Sequence, residues 1–162
     1  MGRGIVVEII ETAKKAISAL DPADDTNYDK AHNILENARS DCSVIDSAEQ
    51  YEPALKDIEN TWETRLTEYA EKVIIKADAY ITDLDAASKK YCAHASDALK
   101  KVAEKLKARR LENAYRNETT GLAVKAEEKY TAYMASRLDE NVKKWHDIDN
   151  YKIVCENEKA LE

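Results

Sequence analysis

The stretch ALKDIENTWETRLTEYAEKVIIKADAYITDLDAASKKYCAHASDALKKVAEKL (residues 54–106) decides the fold class of this chain. It belongs to a run from Ala54 to Thr120 that contains neither Gly nor Pro, the two residues that most often end helices. Its apolar residues recur at steps of three and four, which is the spacing of one helix face: Leu55, Ile58, Trp62, Leu66, Tyr69, Val73, Ala77, Tyr80 and Leu84. This pattern predicts long amphipathic helices and an all-α fold.

The composition of the whole chain supports the same fold class. Its 162 residues include only three Gly and two Pro, and 35% of them are charged, which is typical of helices with narrow apolar stripes. We therefore predict one elongated antiparallel bundle of three long helices plus a short N-terminal helix, forming a single domain over residues 1–162. The pairs Met1-Gly2 and Leu161-Glu162 match what NcoI and XhoI cloning sites leave, so they are interpreted either as cloning remnants or as native residues.

Turn and capping residues mark the breaks between the predicted helices. Asp21-Pro22 ends the first helix. Glu52-Pro53 ends the second helix, or Pro53 lies in the first turn of the third, and Gly121, which suits a helix C-cap, marks a turn at residues 117–121. The third helix either runs unbroken to Asn117 or is broken near residues 92–96, where Ser96 is a suitable N-cap. No internal repeat of fixed period is evident. The predicted helices are Ile5–Leu20, Tyr28–Tyr51, a third that starts at Ala54, and a last one over Leu122–Glu156.

Charge and motifs limit the chemistry that this chain is expected to perform. The net charge of -7 disfavours nucleic-acid binding, because a basic surface supplies most of that affinity. The sequence has no nucleophile elbow, phosphate-binding loop, dinucleotide fingerprint or zinc-protease motif. We therefore predict a non-enzymatic protein with no catalytic residues, no cofactor and no metal.

One segment of the chain is rich in basic residues and is a candidate surface for an anionic partner. The alternatives are an ordinary solvated face, or a basic end that meets the acidic segment 41–68 of a neighbouring subunit. The candidate residues are Lys100, Lys101, Lys105, Arg109 and Arg110.

The three cysteines bear on the compartment. An intracellular chain would keep all three reduced, whereas a secreted chain would pair two of them, and the predicted pair is Cys92 with Cys155. Asn117 begins an Asn-Glu-Thr glycosylation sequon. These two features favour an extracellular location, with a cytoplasmic location as the alternative. No apolar run approaches the length of about 18 residues that a transmembrane helix needs.

The function that best fits these observations is a non-catalytic interaction protein that binds a macromolecular partner, most simply a protein, through exposed helix faces. The alternative is a carrier that holds a lipid or other apolar ligand between amphipathic helices, because the stripes combine Tyr and Ala and the chain has no Phe. An enzyme is the third hypothesis. Helical bundles host all three functions, so the fold class does not choose among them.

Overall fold

The computed structural model describes the backbone of residues 2–161 and the side chains of residues 2–146. All of its regular elements are helices, as the sequence predicts, and there are five within residues 2–161. They are α1 (Gly2–Ser18), α2 (Asn27–Ile45), α3 (Ala48–Asp83), α4 (Tyr91–Ala108) and α5 (Arg116–Leu161).

The five helices form two three-helix units that share α3. In the first unit, α1, α2 and the N-terminal half of α3 enclose a core of twelve buried residues that includes Leu35, Leu55 and Trp62. In the second unit, the C-terminal half of α3 packs with α4 and the first part of α5 around a core that includes Ile81 and Leu106. Leu111, in the α4–α5 connection, packs against both cores.

The second unit repeats the first at a distance of 64 residues along the chain. Ala13, Ile17 and Ala31 are buried in the first unit, and so are Ala77, Ile81 and Ala95 in the second. The connections repeat as well, because the Asp21 carboxylate accepts a hydrogen bond from the Ala23 N–H at 2.9 Å and the Asp85 carboxylate accepts one from the Ala87 N–H at 2.9 Å. The expectation of no fixed-period repeat is therefore wrong.

The α3–α4 connection corrects the predicted break in the third helix. The helix ends at Asp83 and the next begins at Tyr91, so the break covers residues 84–90 rather than 92–96, and Ser96 lies inside α4. The Asp85 carboxylate accepts a hydrogen bond from the Ala87 N–H, and the Ser88 hydroxyl accepts one from the Lys90 N–H. Such local side-chain bonds favour turns over continued helix, and they need neither Gly nor Pro.

The second corrected boundary is the turn predicted at residues 117–121. Gly121 lies inside α5, and the turn occurs where Arg110 adopts the left-handed conformation with φ 57°. The Leu111 N–H donates to the Leu106 carbonyl and the Arg110 N–H to the Lys107 carbonyl, which together form a Schellman motif that ends α4. Gly usually occupies the left-handed position of this motif, so an arginine at residue 110 does not mark the turn in the sequence.

The first hairpin is also shifted relative to its prediction. Helix α2 ends at Ile45 rather than Tyr51, and α3 begins at Ala48. Pro53 therefore lies within α3, and it does not turn the chain. Asp46 closes α2 in an extended conformation, and its carboxylate accepts the Ser47 N–H at 2.8 Å.

Candidate functional site

An open groove of about 560 Å³ runs along the second unit between α3 and α4. Small apolar side chains form its floor, namely Val73, Ala77, Ala98 and Val102. Tyr69 and Tyr80 lie at its two ends, eleven helical positions apart, which corresponds to a length of about 16 Å. The floor, together with its two aromatic ends, gives the groove the dimensions and apolar lining of a small-molecule site.

Four lysines surround this groove, which we call the basic groove: Lys72, Lys76, Lys101 and Lys105. Within residues 2–146, none of the four ammonium groups forms an ion pair. Each helix contributes its two lysines four positions apart, an arrangement in which like charges repel and destabilise a helix by a few tenths of a kcal/mol. Asp97 is the acidic residue in the groove lining, so positive charge predominates.

The first unit has a groove at the equivalent place between α1 and α2, with a volume of about 520 Å³. Its floor is again apolar and consists of Ile9, Ala13, Ile34 and Ala38. The rim is different, because the positions that match the four lysines are Glu8, Thr12, Asn37 and Asp41. We call it the acidic groove. The fold therefore builds a similar groove twice. The rim changes from basic to acidic, and Ile5 and Ala16 stand where the basic groove has Tyr69 and Tyr80.

The structure separates the basic residues predicted from the sequence. Lys101 and Lys105 line the basic groove, whereas Lys100 is exposed outside the groove lining. Arg109 is only 2% exposed, so it does not belong to any partner-binding surface. Arg110 is exposed, but its guanidinium lies 3.8 Å from an Asp29 carboxylate oxygen and 5.4 Å from the Tyr28 ring centroid.

Arg109 holds the two units together. Its Nε donates to the Pro22 carbonyl at 2.8 Å, and its Nη1 donates to the Asp25 carboxylate at 2.9 Å. Its guanidinium also lies 4.3 Å from the centroid of the Tyr69 ring on α3. The side chain thus joins the α1–α2 connection of the first unit to the end of α4 in the second, which explains why it is buried.

The second candidate surface is an exposed apolar face on α5, beyond the point where this helix packs on α3 and α4. Leu138 is 63% exposed and Trp145 is 69% exposed. Met134 and Val142 are also exposed on this face. Large apolar side chains clustered in this way mark interaction sites more often than isolated ones do. We call these four residues the α5 face.

The remaining predicted site residues lie apart from both surfaces. Cys42 is buried and free, and Cys92 is exposed and free, whereas the Cys155 side chain lies outside the described residues. The disulfide between Cys92 and Cys155 therefore stays a prediction. Burial, followed by the nearby carboxylates of Asp41 and Glu52, raises the pKa of the Cys42 thiol. Asn117 is exposed in the first turn of α5, and its glycosylation also stays a prediction.

The described residues contain no cluster of three or more His, Cys, Asp or Glu side chains that could hold a metal ion. Among the helices that the structure describes, none has a segment long and apolar enough to cross a membrane. Comparison of the chain with protein-family models, curated proteins and solved structures gives no match.

Sequence reasoning missed half of the basic groove. Lys72 and Lys76 were not among the predicted residues, because they lie on α3, far in the sequence from the basic segment of α4. The 64-residue repeat contains a signal for this groove. When the two halves of the chain are aligned, all four lysines stand opposite non-basic residues, which sets them apart as a group.

Proposed function

We propose that this protein is non-catalytic and that it binds a partner protein through the α5 face. The observation that carries the proposal is the exposure of Leu138 and Trp145 on one side of a long helix. Exposing such large apolar groups to water is unfavourable, by roughly 1.5–3 kcal/mol for each side chain relative to full burial. Covering them would therefore supply a driving force for association.

The repeat indicates how such a face is normally covered. Met134, Leu138 and Trp145 of α5 occupy the positions that Ala70, Ile74 and Ile81 occupy on α3. On α3 these positions face α4 and α5, and they belong to the second core or pack against it. The α5 face therefore corresponds to a helix surface that is covered by other helices elsewhere in the same chain.

The width of the α5 face favours a single helix as the occupant. Two positions that are buried and apolar on α3, Val73 and Ala77, correspond to the exposed polar residues Arg137 and Asn141 on α5. These polar side chains narrow the apolar stripe, so it suits one amphipathic helix rather than the pair of helices that covers α3.

The charges beside the stripe describe the partner helix further. With successive residues rotated by about 100°, Arg137 and Lys144 lie along one edge of the stripe, and Asp139 lies along the other. A partner helix with acidic residues facing the first edge and basic residues facing the second would complement both. The proposed partner is therefore a protein with one amphipathic helix of that charge pattern.

Site-specific photo-crosslinking tests this proposal in cells of the source organism. A photoreactive residue at Val142 should crosslink to a partner whose adduct maps to one amphipathic helix, and the double variant Leu138→Glu/Trp145→Glu should abolish that adduct. The same probe at Lys143, which lies about 100° around α5 from Val142 and outside the apolar stripe, is the matched control. Equal adducts at both positions, or an adduct that survives the double variant, would overturn the proposal, as would crosslinking only to a second copy of this chain.

A further inference from the structure

We infer that the basic groove binds a single-chain amphiphile that has an anionic head, with a long-chain carboxylate or an alkyl phosphate as the defining chemistry. The alkyl chain would lie on the floor formed by Val73, Ala77, Ala98 and Val102, and the anionic head would lie among the four lysines. This site goes beyond the α5 face and does not depend on it. It also gives the carrier hypothesis a definite place, in a surface groove rather than inside a helical core.

The first argument is charge. The lysine pairs Lys72/Lys76 and Lys101/Lys105 each place like charges one helical turn apart, and all four ammonium groups lack an ion-pair partner among the described residues. An anionic head would relieve this repulsion. Lysine suits the role because its compact ammonium binds carboxylate and phosphate oxygens as a point charge.

The second argument comes from the acidic groove, which serves as a control built into the same molecule. The equivalent rim positions there are Glu8, Thr12, Asn37 and Asp41, and the two grooves have similar volumes and equally apolar floors. Helix packing and solubility are therefore satisfied without lysine at these positions. Lysine occupies these four positions in the basic groove and not in the acidic groove. The need for a solvated helix face does not explain this difference, because the acidic groove meets that need without lysine.

The third argument concerns the shape of the occupant. Tyr69 and Tyr80 stand at the two ends of the groove, about 16 Å apart along α3, so the apolar trough between them is bounded along its length. A flexible alkyl chain can adapt to such a short trough, whereas a docked helix would extend past the tyrosines. The exposed Tyr80 ring also offers amphipathic surface at its end of the groove, where the chain would emerge into water.

A titration followed by two-dimensional NMR of the full chain tests the inference, with monododecyl phosphate as the probe below its micelle concentration. We expect saturable shifts at Val73, Ala77 and Val102 and no shifts at the equivalent Ile9, Ala13 and Ala38. Dodecyltrimethylammonium, which has the same chain with a cationic head, should bind at least tenfold more weakly. Inorganic phosphate tests the anionic head without the alkyl chain, and it should also bind at least tenfold more weakly than monododecyl phosphate.

The rim of the acidic groove supplies the matched variant. Replacing the four lysines by their counterparts, as Lys72→Glu, Lys76→Thr, Lys101→Asn and Lys105→Asp, uses residues that the fold already accepts at these positions. Binding of monododecyl phosphate should fall at least tenfold, while the circular dichroism spectrum stays unchanged. The reverse transplant, Glu8→Lys, Thr12→Lys, Asn37→Lys and Asp41→Lys, should create a second site in the first unit.

The inference is overturned if the cationic and anionic amphiphiles bind equally, if both grooves of the natural protein shift together, or if the lysine replacements leave the affinity unchanged. The double variant Leu138→Glu/Trp145→Glu keeps the two proposals apart. It removes the α5 face and should leave the affinity of the basic groove within twofold of the original. Failure of the groove titration therefore says nothing against the partner proposed for α5.

Discussion

Arg65 and Lys129, which lie 64 residues apart, stabilise the same point in the two units. The Arg65 guanidinium donates to the Ile17 carbonyl at 3.3 Å and to the Leu20 carbonyl at 2.7 Å. The Lys129 ammonium donates to the equivalent carbonyls of Ile81 at 2.8 Å and Leu84 at 2.6 Å. Each cation thus adds hydrogen bonds to carbonyl groups at the C-terminal end of a helix, where the Ile17 and Ile81 carbonyls also accept a backbone N–H, and it lies at the negative end of the helix dipole.

Removing either cation should destabilise the protein. We expect Arg65→Met and Lys129→Met each to lower the free energy of unfolding by about 1–2 kcal/mol, because charge-assisted hydrogen bonds to backbone carbonyls are lost. Urea denaturation measures the change. The control is Lys125→Met, which removes a partly exposed ion pair with Asp78 and should change stability by less than about 1 kcal/mol. If all three variants behave alike, the carbonyl contacts do not contribute in the proposed way.

The all-α fold was predictable because the apolar spacing of each helix depends on local geometry alone. The helix ends were less predictable, since Arg110 takes a left-handed conformation that Gly usually provides and Pro53 is accommodated inside α3. The 64-residue repeat was hidden because only some core pairs, such as Ile17 and Ile81, preserve identity, whereas others preserve apolar character alone. For example, Val6 and Ala70 are both buried although the side chains differ in size.

Arg109 provides a test of how the two units are joined. Arg109→Met should lower the free energy of unfolding by about 2–3 kcal/mol, because its hydrogen bonds to Pro22, Asp25 and Lys105 are lost in a buried place. Arg109→Lys should recover only part of that loss, since an ammonium does not reproduce the planar fork. Asp25→Asn should cost less than Arg109→Met, because the Asp25 side chain is 59% exposed and an amide oxygen still accepts a hydrogen bond from the buried guanidinium. A change below half a kcal/mol for Arg109→Met would contradict the joining role.

The basic groove could be predicted only in part from the sequence. Clustering along the chain found Lys101 and Lys105, but it also included Arg109, which is buried against the first unit. Burial of that guanidinium depends on contacts with Pro22 and Asp25, which are more than 80 residues away in the chain. Local charge density carries no information about such contacts, so it could not separate a structural cation from a surface one.

Alkaline pH should weaken the fold through neutral groups that are buried, as Cys42 and Tyr91 are, or partly buried, as Tyr115 is. Burial raises the pKa of the Cys42 thiol and of the Tyr91 and Tyr115 phenols. A raised pKa in the folded state means that the stabilisation is complete below the ordinary pKa values of 9.0 and 10.0 and is lost as the pH rises through the folded-state values. Stability should therefore decline above about pH 9.

The contribution of Tyr91 to this decline is separable. Its hydroxyl donates to the Ala126 carbonyl at 2.7 Å, and ionisation would remove that donor. Tyr91→Phe should lower stability at pH 7 by about 1 kcal/mol and should reduce the loss between pH 9 and pH 11. Tyr80→Phe, which alters an exposed side chain, is the control. If the free energy of unfolding falls equally between pH 9 and pH 11 in the two variants, Tyr91 is not a source of the pH dependence.

Trp62 tests the packing of the first core. It is 3% exposed, and the Arg65 guanidinium lies 5.3 Å from its ring centroid. Trp62→Ala should lower the free energy of unfolding by about 3–5 kcal/mol, through lost burial and the cavity that remains. Trp62→Phe should cost much less, because it keeps a buried ring and removes the indole N–H, which has no hydrogen-bond partner within the described part of the chain. Chemical denaturation followed by far-ultraviolet circular dichroism measures the free energy of unfolding of both variants. Tryptophan fluorescence is not used, because Trp145 would be the only tryptophan left to report on unfolding. A loss below half a kcal/mol for Trp62→Ala would place this ring outside the core and would contradict the three-helix packing of α1, α2 and α3.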